Sequence, residues 1–153
     1  MKTIVSLILV PFFLIPFVSA VAQEPDSIAK KILDFCEKHK GKKVGKGECW
    51  DLAKEALNES GATWTPPYMF GKPLSKKEAL RAGDILQFEK VKIESPDGSW
   101  KDLPHHTAIV FKVIDKNKII MAEQNANGKK FVLFSEADLS QITKGKLTSF
   151  RPN

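Results

Sequence analysis

A thiol, two imidazoles and a carboxylate stand in this chain at spacings that suit nucleophilic attack. Cys49 lies in the run Gly45-Lys46-Gly47-Glu48-Cys49-Trp50-Asp51-Leu52, which reads as a glycine turn feeding a helix. In the first turn of a helix a thiol meets unpaired N–H groups and the positive end of the dipole, and both favour the thiolate. His105 and His106 follow far downstream, then Glu123 and Asn125. A nucleophilic sulfur, a ring nitrogen to take its proton and a polar group to orient the ring are the parts of a cysteine hydrolase. The backbone N–H of Cys49 is placed to help form an oxyanion hole.

The elements that must position these groups follow from periodicity and punctuation. Ser27 to Lys40 has the stripe of an amphipathic helix, with Asp26 or Ser27 as cap and Gly41 as its stop. Glu48 to Ser60 is the second helix, stopped by Gly61, and Cys49 shares its apolar face with Ala53 and Ala56. Ala62 to Pro73 is an aromatic loop in which the prolines exclude a regular helix or a central strand. The pattern from Ser75 to Glu78 predicts a capping box and a short helix ending at Arg81. Strands are expected at Ile85–Ile93, His106–Ile114, Ile119–Gln124, Phe131–Phe134 and Leu147–Arg151. A polar loop is expected over Glu94–Pro104 and a short helix over Ser135–Ile142. Asn127-Gly128 is the strongest two-residue turn signal. Helices first and an antiparallel meander after give an α+β fold. Alternation sets His106 on one face with Ala108 and Val110, and His105 on the other. It does not choose the base. Glu123 and Asn125, two apart on a strand, would share a face.

Residues 1–22 have the make-up of a signal peptide: Lys2, an apolar run from Ile4 to Val18, then the small residues Ser19-Ala20-Val21-Ala22. The expectation is export, secreted or periplasmic, with residues 23–153 as a single domain and no integral membrane segment after processing. The formal charge is +6, with lysines scattered along the sequence and no aromatic platform among them. That pattern fits a solvated basic surface drawn to anionic polymers, and argues against nucleic-acid binding. Two cysteines exclude a disulfide scaffold. Cys36 falls on the apolar face of the first helix with Ile28, Ile32 and Phe35. It reads as core in preference to a Cys36–Cys49 bridge, which would block the chemistry.

Four segments carry a more specific signal: Gly47-Glu48-Cys49-Trp50, Gly83-Asp84-Ile85-Leu86-Gln87-Phe88, His106-Thr107-Ala108-Ile109-Val110 and Glu123-Gln124-Asn125. In this order they resemble the core blocks of CHAP domains in the papain-like NlpC superfamily. They are also similar to the cysteine-proteinase-like domain at the ends of some fungal actin-patch proteins. The resemblance spans roughly Val44 to Arg151. It implies a papain-like fold with N-terminal helices packed on an antiparallel sheet. It matches Cys49 to the nucleophile, His106 to the base, Glu123 to the orienting carboxylate and Asn125 to the asparagine that completes the site. Glu48 replaces the usual glutamine and is expected to point to solvent. His105 replaces the usual glycine and is a candidate substrate-edge contact.

The resemblance implies a thiol hydrolase that cleaves amide bonds, of the peptidoglycan amidase or endopeptidase type, acting on peptidoglycan or peptide without a cofactor. Two other readings stand beside it: a non-catalytic binding module on the same fold, and a protease acting on proteins. No metal is expected. Lys42-Lys43-Val44-Gly45-Lys46 is unsuited to calcium, and the thiol, imidazole and carboxylate lack the short spacings of a zinc site. Trp50 and Tyr68 are candidate substrate contacts, with Trp64, Phe70 and Trp100 as further aromatics that could line a groove. The molecule is expected to be a monomer.

Overall fold

The computed structural model describes residues 26–153. The expected signal peptide at residues 1–22 lies outside the described residues. Helix α1 runs Ser27–His39 and helix α2 runs Cys49–Ser60. Asp26 caps α1 by accepting from the Ala29 N–H at 2.8 Å, and the αL residue Gly61 ends α2. The strands are β1 (Lys72–Pro73), β2 (Ile85–Glu94), β3 (Trp100–Val113), β4 (Lys118–Glu123), β5 (Leu133–Asp138) and β6 (Ile142–Arg151). They form one six-stranded sheet in the order β1-β6-β2-β3-β4-β5, in which every neighbouring pair is antiparallel. This is the expected α+β architecture, two helices packed on an antiparallel sheet.

Each sheet face has its own apolar layer. On the helical side, Ile32, Phe35 and Cys36 of α1 and Leu52, Ala53, Ala56 and Leu57 of α2 pack against Ile85, Ile109, Ala122 and Phe150. The alanines remove side-chain bulk where α2 lies on the strands. On the other side, Leu86, Phe88, Val91, Leu103, Ala108, Val110 and Met121 form a second cluster, and Leu80, Leu139 and Leu147 pack on it. Neither α-helix contributes to that layer.

Four local expectations give way to tertiary pairing. The stretch read as a loop over Glu94–Pro104 is mostly strand, because Trp100–Leu103 continue the hairpin with β2 and only residues 95–99 turn. Pro104 is tolerated because the ladder passes from Glu89↔His105 to Val91↔Leu103 and leaves Lys90 and Pro104 unpaired. Lys90 sits at φ 54°. The β2–β3 register is unchanged across this gap, while the β2–β6 register shifts between Glu89 and Lys92; the irregularity puts Phe88 with Val91, and Leu103 with Ala108, in one apolar layer. Ser135–Asp138 is extended, not helical, because it pairs with β4; only Leu139–Gln141 coil, as a 3-10 turn. Strand β6 starts at Ile142 and not at Leu147, since it pairs along β2 from Ile93 to Ile85. Ser75–Glu78 closes a turn through Glu78 N–H to the Ser75 carbonyl and Ser75 N–H to the Glu78 carboxylate. No helix follows, because Asp84 takes the Arg81 N–H at 2.7 Å. Asn127-Gly128 makes the expected tight turn, both residues at positive φ, with the Lys129 N–H on the Ala126 carbonyl at 3.0 Å.

Candidate active site

The site forms where β4 stops. Strand β4 begins to flank β3 only at Ala108↔Glu123, so the same edge of β3 at His105–Thr107 has no strand beside it. The start of α2 occupies that gap. Cys49 Sγ lies 4.0 Å from the His105 carbonyl oxygen. Half-burial works against the Cys49 thiolate. Hydrogen bonds from the His106 imidazole and from the Thr107 and Trp50 N–H groups outweigh it and bring the thiol below its ordinary range.

The loop before the nucleophile is fixed from the far side of the molecule. Gln124, fully buried, accepts from the Val44 N–H at 2.8 Å and donates to the carbonyls of Val44 (3.0 Å) and Glu48 (2.9 Å). Asp51 accepts from the N–H groups of Lys46 (2.8 Å) and Glu48 (3.1 Å), closing the same loop from within α2. At Gly45, φ is 56° and an added Cβ would stand 2.9 Å from the Asp51 carboxyl carbon.

His106 is buried, and its Nε2 lies 2.7 Å from the Glu123 carboxylate. Glu123 is also held by Lys101 Nζ at 2.9 Å and by a hydrogen bond from the Ser135 hydroxyl. Burial raises the Glu123 carboxyl, but His106, Lys101 and Ser135 together carry it down to about 2. Burial likewise disfavours imidazolium at His106; the Cys49 and Glu123 partners prevail and raise it. Each charge therefore stabilises its neighbour. A thiolate, an imidazolium and a carboxylate in series can attack a carbonyl carbon and return a proton to the leaving nitrogen.

The expected residues divide clearly. Cys49, His106 and Glu123 converge. Asn125 does not touch the imidazole: β4 ends at Glu123, Asn125 turns at φ 60°, and its amide donates to the Glu48 carboxylate at 2.9 Å. The assumption that the pair shares a strand face fails there. Glu48 also pairs with Lys130 Nζ at 2.8 Å, so its side chain is anchored at the lip of the site while still open to solvent. Trp50, Tyr68 and His105 form one wall beside the thiol. Tyr68 meets His105 edge-on at 4.7 Å between centroids and Trp50 at 6.1 Å, and Tyr68 itself sits at φ 64°. Trp64 and Phe70 stack on each other at 6.1 Å against the helical-side core, and Trp100 lies under Lys92 at the far end of the hairpin. Phe70 backs the wall from the core, edge-on to Tyr68 at 6.2 Å, and Trp100 stands apart from it.

Sequence reasoning missed Lys101, Ser135, Gln124 and the buried pair Gln87–Thr107. In that pair the Thr107 hydroxyl donates to the Gln87 side chain at 2.7 Å under His105. Gln124 stood in the quoted Glu-Gln-Asn run without a role. Lys101 had no local signal, because its segment read as a loop. Among the described residues no group of three or more His, Cys, Asp or Glu side chains is arranged to hold a metal ion.

The fold and this geometry define a cysteine-proteinase-type domain. The model of the AIM3/BBC1 cysteine proteinase-fold domain matches residues 19–153, and the chain belongs to that family. It is 32% identical over 161 residues to "Altered inheritance of mitochondria protein 3" of Debaryomyces hansenii, covering 90% of this chain and 17% of that protein. The chain thus spans about a sixth of the curated relative it matches. Among solved structures it resembles the crystal structure of Ly7917, with a TM-score of 0.53, 16% identity, and coverage of 81% of this chain and 62% of that one. A second structure of Ly7917, described as holding the hydrolysing product of MDP, matches at TM-score 0.53 and 17% identity, covering 81% of this chain and 63% of that one. These last two likenesses concern the fold.

Proposed function

We propose that the chain is a thiol hydrolase that cleaves amide bonds in peptides through an acyl-enzyme on Cys49. His106 serves as base and then acid, and Glu123 holds the ring. The observation that carries this reading is the buried Glu123–His106 contact of 2.7 Å, with the Cys49 thiol on the other side of the same imidazole. The Cys49 N–H and the positive start of α2 supply donors for the oxyanion. Family membership favours a peptide or protein substrate. Peptidoglycan stem peptides are the second reading: the resemblance to CHAP domains supports them, and so does the fold shared with Ly7917, which is described with the hydrolysing product of MDP. Export with removal of residues 1–22, leaving residues 23–153 as one monomeric domain, belongs to this proposal and is checked by the N-terminal sequence of the mature protein.

The first test is the rate of iodoacetamide modification against pH, mapped by mass. Cys49 should label quickly below the ordinary thiol range of about 8.5, and His106→Ala should move its profile back up. Turnover of a quenched peptide library should vanish in Cys49→Ala. An ordinary thiol profile in the unmodified protein would instead favour a non-catalytic binding module on the same fold.

A further inference from the structure

Two short lysine runs that are far apart in sequence, Lys42 to Lys46 and Lys129-Lys130, are brought together by the fold. Three contacts join the loop before Cys49 to the loop after β4. The Gly41 N–H donates to the Val132 carbonyl at 2.8 Å, the Val132 N–H to the Lys42 carbonyl at 2.9 Å, and Gln124 holds Val44. Lys43 and Lys46 on the first loop thereby stand beside Lys129 and Lys130 on the second, whereas Lys42 turns back to α1, its Nζ donating to the Lys38 carbonyl at 3.0 Å. At Gly47, two residues before the nucleophile, an added Cβ would meet the side chains of Lys130 at 3.0 Å and Lys43 at 3.1 Å. The two loops thus touch at the lip of the site.

All five lysines are exposed. The acidic groups nearby are already engaged. Glu48 is taken by Lys130 and Asn125, and Asp51 by two backbone N–H groups. Among the described residues, Lys42, Lys43, Lys46 and Lys129 have no carboxylate within ion-pair range. Several uncompensated positive charges within a few residues of a nucleophile create a local potential that concentrates anionic ligands. Their place at the lip of the site, and the aromatic wall of Trp50, Tyr68 and His105 beside the thiol, suit an extended chain that places an apolar residue next to the reacting bond.

We infer that the lysine rim of Lys43, Lys46 and Lys129 selects acidic peptides for the Cys49 site. This deepens the proposed hydrolysis and rests on that reading for the fate of the bound peptide, though binding itself does not require turnover.

The test measures binding, by fluorescence anisotropy, of a glutamate-rich decapeptide and its glutamine and lysine counterparts to the full chain carrying Cys49→Ala, which holds peptide without cleaving it. The glutamate peptide should bind best and weaken with salt as the Debye length falls below about 10 Å. Lys43→Glu/Lys46→Glu/Lys129→Glu should weaken it at least tenfold. Lys76→Glu/Lys77→Glu/Lys116→Glu, an equal charge change at exposed sites beside the cavity of about 510 Å³ between residues 74–80 and the β3–β4 turn, should leave it within twofold. Thermal melting confirms that both variants fold. Equal losses in the two variants would reduce the effect to net charge and overturn the proposal. So would indifference to peptide charge, or rim-dependent binding of phosphatidylserine vesicles without peptide binding. Cys49 labelling, measured separately on the unmodified thiol, tells whether the hydrolytic reading fails independently.

Discussion

Glu123 is the residue on which most of the site's electrostatics converge. Its carboxylate serves an imidazole, an ammonium and a hydroxyl at once. Glu123→Gln keeps the shape and removes the charge. Under the proposed mechanism it should lower kcat by about a hundredfold or more and shift the Cys49 labelling profile toward higher pH, because the imidazolium loses its partner. The pH dependence of stability has two limbs. The Glu123 carboxyl is depressed on folding from its ordinary 4.5 to about 2, so its contribution is present above about 4.5 and is lost as pH falls toward 2. The His106 imidazole is raised above its ordinary 6.5, so its contribution is complete below that value and fades as pH rises through the folded-state value. Chemical denaturation across pH should show both limbs, and Glu123→Gln should flatten the acid one.

At the scale of elements, the nucleophile depends on a loop that has no regular structure of its own. Gln124 supplies three hydrogen bonds to it from the end of β4. Gln124→Ala leaves the buried Val44 N–H without a partner and takes one of two donors from the Val44 and Glu48 carbonyls, and should cost about 2–3 kcal/mol, read as a lower denaturation midpoint. Because the loop sets the start of α2, the same variant should slow Cys49 labelling more than its loss of stability accounts for. Helices α1 and α2 were legible because their caps, glycine stops and apolar stripes are local. The 3-10 turn at Leu139–Gln141 and the extended Ser135–Asp138 were not, since a cap-like serine start reads as helix until β4 claims the segment through pairing.

For the whole molecule, long-range closure rests on Arg151 and Asp84. Arg151 reaches the buried Asp84 through Nε at 2.9 Å and through a second nitrogen at 2.8 Å, and also donates to the Ala79 carbonyl. The pair ties the end of β6 to the start of β2. Arg151→Ala strands a buried carboxylate and should cost about 3 kcal/mol; Arg151→Lys should recover only part, since it loses the fork, and thermal melting separates the three proteins. The Gly83-Asp84 strand entry was visible in the sequence, but its partner 67 positions away was not. The same limit hid the entry of Lys101 into the site, the irregularity at Lys90 and Pro104, and the meeting of the two lysine-bearing loops. Each is a meeting of distant segments, for which local pattern carries no signal. The two sulfurs complete this picture. Both are free, and Cys36 is sealed in the helical-side core with its thiol pushed up to about 12 by burial. Thiol oxidation is therefore channelled to Cys49: a sulfenic acid there has no second accessible thiol among the described residues to condense with while the core is intact. Its repair depends on a reductant from outside, and the redox state of the surroundings sets what fraction of molecules can act.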